Sequence, residues 1–216
     1  MEQLMIPVKL HPEPENFDKD VRQPGREFLR VNPHPSDDSE WNNKRHWQKI
    51  LPKMRDVYCG ICAYSGLYIC GALGAESVDH FIPKSQNPKL AYEWDNFRYS
   101  SRTFNVRKGV NAVLDPFKIG CDWFWILFPS FKVIPNPGLS KDIKDAVEQT
   151  IKIFKWNEDK GLQEYCMGYI KDYCAGEISL KHLEKKTPFI ACQLKYRGLE
   201  EKIKAMMNFS KSKEEG

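Results

Sequence analysis

The chain has 216 residues, 41% of them hydrophobic and 29% charged, with a net charge of +4. That length supports a real core, and the charge is too mild to mark a general polyanion binder, so a nucleic-acid role has to rest on where the cations sit. No run of 18 apolar residues occurs, and the opening M-E-Q-L-M-I-P-V-K-L lacks the apolar stretch of a signal peptide. These features argue against a membrane span and predict a cytoplasmic protein. The odd count of seven cysteines then points to reduced, mostly buried thiols rather than a disulfide framework.

Residues 1–40 hold six prolines (Pro7, Pro12, Pro14, Pro24, Pro33 and Pro35). Proline interrupts both helices and ladders, so this segment is predicted to be an extended arm that packs on the body through Phe17, Val21, Phe28, Leu29 and Val31. Pro35 to Asn43 reads as an exposed loop. From Trp47 to Tyr58 the apolar residues follow helical spacing, with Pro52 kinking the helix or starting a new one. Ser77–Phe81 and Asn96–Ser100 read as strands, and Thr103–Val110 as a helix capped by Ser101 or Thr103.

Beyond Leu114, the run Trp123–Phe128 is short enough for a buried strand, closed by Pro135 and Pro137. Ser140 caps a helix with Ile143, Val147, Ile151 and Phe154 on one face. A second helical stripe uses Leu162, Tyr165, Cys166, Tyr169, Ile170 and Tyr173, and Thr187-Pro188 opens a last helix. The chemistry-bearing aromatics Trp94, Trp123, Trp125 and Trp156 sit in apolar stretches and are expected in the core. The predicted fold class is α+β, mainly α-helical. The predicted organisation is an arm at 1–45, a core at 46–118, a mainly helical region at 119–210 and a frayed tail at 211–216.

The densest chemistry lies between Ser77 and Gly109: S-V-D-H-F-I-P-K-S, then W-D-N-F-R-Y, then F-N-V-R-K-G. Phosphodiester hydrolysis needs an activated water and positive charge where the transition state gathers negative charge. His80 is suited to be the general base, since its ordinary pKa lies near neutrality. Asp79 is a hard-oxygen metal ligand, the amide oxygen of Asn105 can supply another, and Asn96 could orient His80. Such an oxygen set prefers Mg2+ or Mn2+ to zinc. One objection stands: neighbours on a regular strand face opposite ways, so Asp79 and His80 share a site only if the strand ends or twists there. Arg98, Arg102, Arg107 and Lys108, with Lys84 a weaker candidate, form a basic cluster suited to phosphate. Such contacts read no bases.

This D-H…N…N pattern with a terminal N-x-x-K-G resembles the HNH, or ββα-metal, endonuclease family over roughly residues 57–110. The resemblance implies a hairpin-plus-helix core in which Asp79 and Asn105 bind the metal, His80 activates water and Asn96 orients it. Cys59-Gly-Ile-Cys62 has the spacing of half a zinc site. Ser101 and Phe104 stand where many HNH proteins carry the second pair; Cys70 or Cys121 could contribute a ligand, but two cysteines do not make a closed site. Buried thiols are therefore expected in place of structural zinc. A looser resemblance, in C-A-Y-S, A-Y-E-W-D-N, L-D-P and T-I-K-I-F-K-W-N, is to the HNH subunit of Septu-type and retron-associated bacterial defence systems. It implies an anti-phage defence nuclease with a partner ATPase; as a metal-dependent endonuclease the chain is expected to cut DNA in preference to RNA. The alternative is a catalytically silent nucleic-acid-binding or scaffold subunit.

Overall fold

The computed structural model describes residues 8–35, 37–120 and 122–207; Pro7, Cys121 and the polar tail lie outside them. The fold is mixed α+β: helices predominate, with two small antiparallel sheets of two strands each. The backbone separates into two compact units. One comprises Lys9–Tyr64 with Ile69–Asn111; the other comprises Ser65–Tyr68 and the chain from Ala112 onward. The predicted border at 118 therefore moves to 111, and the described part of the arm from Lys9 belongs to the unit that carries the hairpin.

That arm is not extended throughout. A π-helical turn, Asp18–Arg22, runs into α1 (Gln23–Val31). Pro24 stands in the first turn of α1, where its missing N–H would have had no helical partner anyway. Gly25 lets α1 press against the ring of Tyr92, since a Cβ there would fall 2.1 Å from Tyr92 Cγ. Arg22 ties the turn to Glu93 at 2.8 Å and also pairs with Glu13. Phe17 is fully buried edge-on to Trp94 and Phe97, a burial that stabilises by about 1.5–3 kcal/mol.

A 3-10 segment, His46–Ile50, leads into α2 (Leu51–Val57), so Pro52 starts a new helix. Strand β1 (Glu76–His80) pairs antiparallel with β2 (Phe97–Ser101), in a register that places Asp79 opposite Arg98 and His80 opposite Phe97. Helix α3 (Arg102–Lys108) follows β2 directly. Ser101 is its N-cap, its hydroxyl accepting from Phe104 N at 3.3 Å.

In the other unit, β3 (Phe124–Leu127) and β4 (Lys132–Pro135) form a second hairpin. It is followed by α4 (Lys141–Phe154), α5 (Lys160–Ala175), α6 (Leu180–Lys186) and α7 (Pro188–Tyr196). Their buried faces carry Val147, Ile151, Phe154, Leu162, Cys166, Ile170 and Leu194, as the helical spacing predicted for α4 and α5. Ser140 occupies the N-cap position of α4 without a side-chain cap bond. Among the described residues no helix is long and apolar enough to cross a membrane.

Candidate active site

Strand β1 ends at His80, and the chain bends away at Phe81 and Ile82. Asp79 and His80 are the last two residues of the regular ladder, opposite Arg98 and Phe97. Both line one cleft of about 890 Å³, together with Asn105 and Arg102 of the α3 segment, Lys84 of the β1–β2 connection, and Arg45.

Asp79 is only 3% exposed. Its Oδ1 accepts from Lys108 Nζ at 3.1 Å and its Oδ2 accepts from the Tyr64 hydroxyl. Lys108 is itself buried, and its ammonium donates a second bond to the His80 carbonyl at 2.8 Å. Burial pushes the Asp79 carboxyl up, while the Lys108 ammonium, the Tyr64 hydroxyl and the Arg98 charge pull it back down. The Tyr64 phenol is raised well above its ordinary value, first by burial and then by the Asp79 charge beside it. A buried charge survives only with such partners.

His80 lies edge-on between Trp47, at 4.6 Å between ring centroids, and Phe97, at 5.3 Å. Its Nε2 is 2.9 Å from the Ala91 carbonyl. A carbonyl can only accept, so Nε2 carries the proton and Nδ1 holds the lone pair of the neutral ring. Burial lowers the pKa of His80 to about 4, against the weaker upward pull of the Ala91 carbonyl. The imidazole is neutral at physiological pH, as a general base must be before it acts.

Asn96 differs from its expected place. It is buried, and its amide joins both ends of the β1–β2 connection: Oδ1 accepts from Ile82 N at 2.8 Å, and Nδ2 donates to Ile82 O at 3.0 Å and Leu90 O at 3.1 Å. These bonds spend its donors on the backbone, so it cannot orient the imidazole by direct contact. It fixes instead the loop whose next residue, Ala91, holds His80. Asn105 is half-buried, and Nδ2 donates to Ser77 Oγ and to Val78 O, both at 3.2 Å. The Val78 carbonyl can only accept, which sets the amide's orientation and leaves Oδ1 as its uncommitted oxygen.

The basic cluster divides. Arg102 is exposed and Lys84 half-exposed, and both line the cleft, Lys84 with a 2.5 Å ion pair to Asp38. Arg98 is buried at 3% exposure. It donates to the carbonyls of Asp95 at 2.6 Å and Phe97 at 2.9 Å and lies over the Phe81 ring, so it cannot be a surface phosphate contact. Lys108 is likewise withdrawn from the surface, because its ammonium neutralises Asp79. Arg107 is half-buried with its guanidinium 5.8 Å from the Phe104 ring centre, and it does not line the cleft.

Cys62 is buried, its sulfur accepting from Ser101 N at 3.4 Å, whereas Cys59 is exposed, contrary to the expected buried thiol. Cys59 has φ +53°, in the left-handed region, within the turn that follows α2. Among the described residues, no three His, Cys, Asp or Glu side chains gather as a metal cluster. An ion at the cleft would therefore rest on Asp79 and the Asn105 amide oxygen. Each Asp79 oxygen retains a lone pair beyond its present bond. Two hard oxygens fit Mg2+ or Mn2+, which keep several waters and take further ligands from substrate phosphate.

Sequence reasoning missed Tyr64, Trp47 and the second role of Lys108. Only Lys108 carried a signal. It stands three positions after Asn105, which places both on the face of α3 turned to β1. The chain matches no family model and no curated protein sequence.

Proposed function

We propose that this protein is a metal-dependent endonuclease with an HNH, or ββα-metal, core formed by β1, β2 and α3, cutting DNA in preference to RNA. The observation that carries the reading is the shared cleft. Asp79, His80 and Asn105 reach it from a strand end and a helix, and the His80 tautomer is set by the Ala91 carbonyl. In this reading Nδ1 of the neutral imidazole takes the proton of the attacking water. Asp79 and Asn105 Oδ1 would hold one Mg2+ or Mn2+ ion. When bound, that ion supplies positive charge for the phosphoryl and leaving oxygens. Asn96 keeps the β1–β2 connection, and with it Ala91, in place behind the base. Arg102 and Lys84 offer charge to the flanking backbone phosphates.

A role in anti-phage defence beside a partner ATPase rests on the looser sequence resemblance alone. A second reading has an observation of its own. Lys108 and Tyr64 already satisfy one position on each Asp79 oxygen, as they would in a subunit that binds nucleic acid without cutting it. Nicking of a supercoiled plasmid with Mg2+ or Mn2+, with and without EDTA, separates the two. The endonuclease reading expects metal-dependent nicking that His80→Ala lowers by about 10²–10⁴-fold. Binding without metal-dependent nicking in the wild type favours the silent subunit, and full activity in His80→Ala would remove His80 as the base.

A further inference from the structure

Next to the cleft lies a groove of about 710 Å³ lined by Asn42, Asn43, Arg45, His46, Gln48 and Lys49. Arg45 and Gln48 line both spaces, so the groove continues the cleft along the start of the His46–Ile50 segment. The charge character changes at that junction. The acids of the cleft are committed: Asp38 to Lys84, Glu76 to Arg55 and Asp79 to Lys108. Asp37 is committed too, to the backbone N–H groups of Ser39 and Glu40. The groove contains no acid at all. It offers two exposed cations, Arg45 and Lys49, and three exposed amides, Asn42, Asn43 and Gln48. Arg45 acts on Asp38 through its charge, and Lys49 donates to the Asp20 carbonyl at a loose 3.4 Å.

Cations with neutral amide donors, no carboxylate and a single half-buried ring, that of His46 packed on Tyr92, suit phosphate and sugar oxygens better than base stacking. We infer that this groove is a second anchoring site for the DNA backbone, where Arg45 and Lys49 each hold a phosphate of the strand leaving the cleft. The inference rests on the endonuclease reading for the identity of the polyanion. It adds a site outside the Ser77–Gly109 stretch and accounts for grip that the buried Arg98 and Lys108 cannot supply. Its contacts are independent of sequence.

The test is binding of a fluorescein-labelled DNA duplex, read by anisotropy in EDTA over a salt series. It compares wild type, Arg45→Ala/Lys49→Ala, Arg45→Lys/Lys49→Arg and His80→Ala. Losing two phosphate contacts should reduce the slope of log K against log salt by about 1.8, at about 0.9 per contact. The charge-preserving pair should keep the wild-type slope, and so should His80→Ala. An unchanged slope in Arg45→Ala/Lys49→Ala overturns the inference, even if the wild type nicks plasmid. Absence of duplex binding by the wild type overturns it as well. A lost slope in a protein that never nicks DNA would uphold the groove and sink the endonuclease reading, so the two fail separately.

Discussion

The two hairpins of this protein solve the same structural problem with different chemistry. Both are short antiparallel pairs whose backbone is tied down by a side-chain amide. Around β3–β4 the buried polar groups are neutral. Gln193 donates to Phe124 O at 3.1 Å and accepts from Ile126 N at 3.2 Å, while Asn157 accepts from Val133 N at 2.7 Å and donates to Val133 O at 2.8 Å. Around β1–β2, Asn96 does the same work for the connecting loop, yet the region also buries Asp79, Lys108 and Arg98. The Arg197 guanidinium also donates to Ile126 O at 2.6 Å but is only part-buried, so among the described residues β3–β4 is held without a fully buried ion. Buried ions carry a desolvation cost that packing does not require. Charge buried to this extent at β1–β2 is what the proposed endonuclease site, with Asp79 as a metal ligand, would require.

Breaking the ion pair should have the largest effect on that contrast. Lys108→Met leaves the Asp79 carboxylate buried without its cation and should cost about 3–5 kcal/mol, measured by urea unfolding. Asp79→Asn/Lys108→Met should recover most of the loss. A loss below about 1 kcal/mol for Lys108→Met would mean the pair is solvated and no different from a surface bridge.

The pH dependence comes next. The unfolded chain takes up a proton on His80 near its ordinary pKa of 6.5, whereas the folded protein resists until about 4. The unfolded state thus binds more protons between those values, and stability falls as pH drops through that window, by about 3 kcal/mol at most. The difference in stability between wild type and His80→Gln should accordingly narrow from pH 7 to pH 4.5. A difference that stays flat would show an imidazole open to water.

The amides should have smaller and comparable effects. Gln193→Leu strands the Ile126 N–H and the Phe124 carbonyl and should cost about 1–3 kcal/mol. Asn96→Ala should cost a similar amount and in addition depress kcat more than KM, because the loop that carries Ala91 loosens behind His80. Equal losses of stability with unchanged kcat would reduce Asn96 to a structural staple like Gln193. Smallest of all, Cys59→Ser should change stability by less than about 0.5 kcal/mol. A loss of several kcal/mol, with about one zinc per chain by metal analysis, would establish a thiolate site.

Local features are legible in the sequence. The strands at β1 and β2, the Ser101 cap, the new helix at Pro52 and the apolar stripes of α4 and α5 follow from spacing and from the chemistry of single residues. The arm was misread because its prolines suggest breakage. Pro24 falls in the first turn of a helix, where proline is tolerated, and Gly25 is there for the ring of Tyr92. Neither fact is visible without the neighbour.

The sequence by itself determined that an acid, an imidazole and two amides come close together between Ser77 and Gly109, and in what order. Tertiary structure decided their states. It drew Asp79 and Lys108 into one buried pair, assigned the proton of His80 through the Ala91 carbonyl, withdrew Arg98 onto Phe81, and left Arg45 and Lys49 exposed beside the cleft. The physical reason is that burial and ionic pairing depend on residues far apart in the chain. Asp79 lies 29 positions from its cation, and no local pattern encodes whether a lysine ends in water or on a carboxylate.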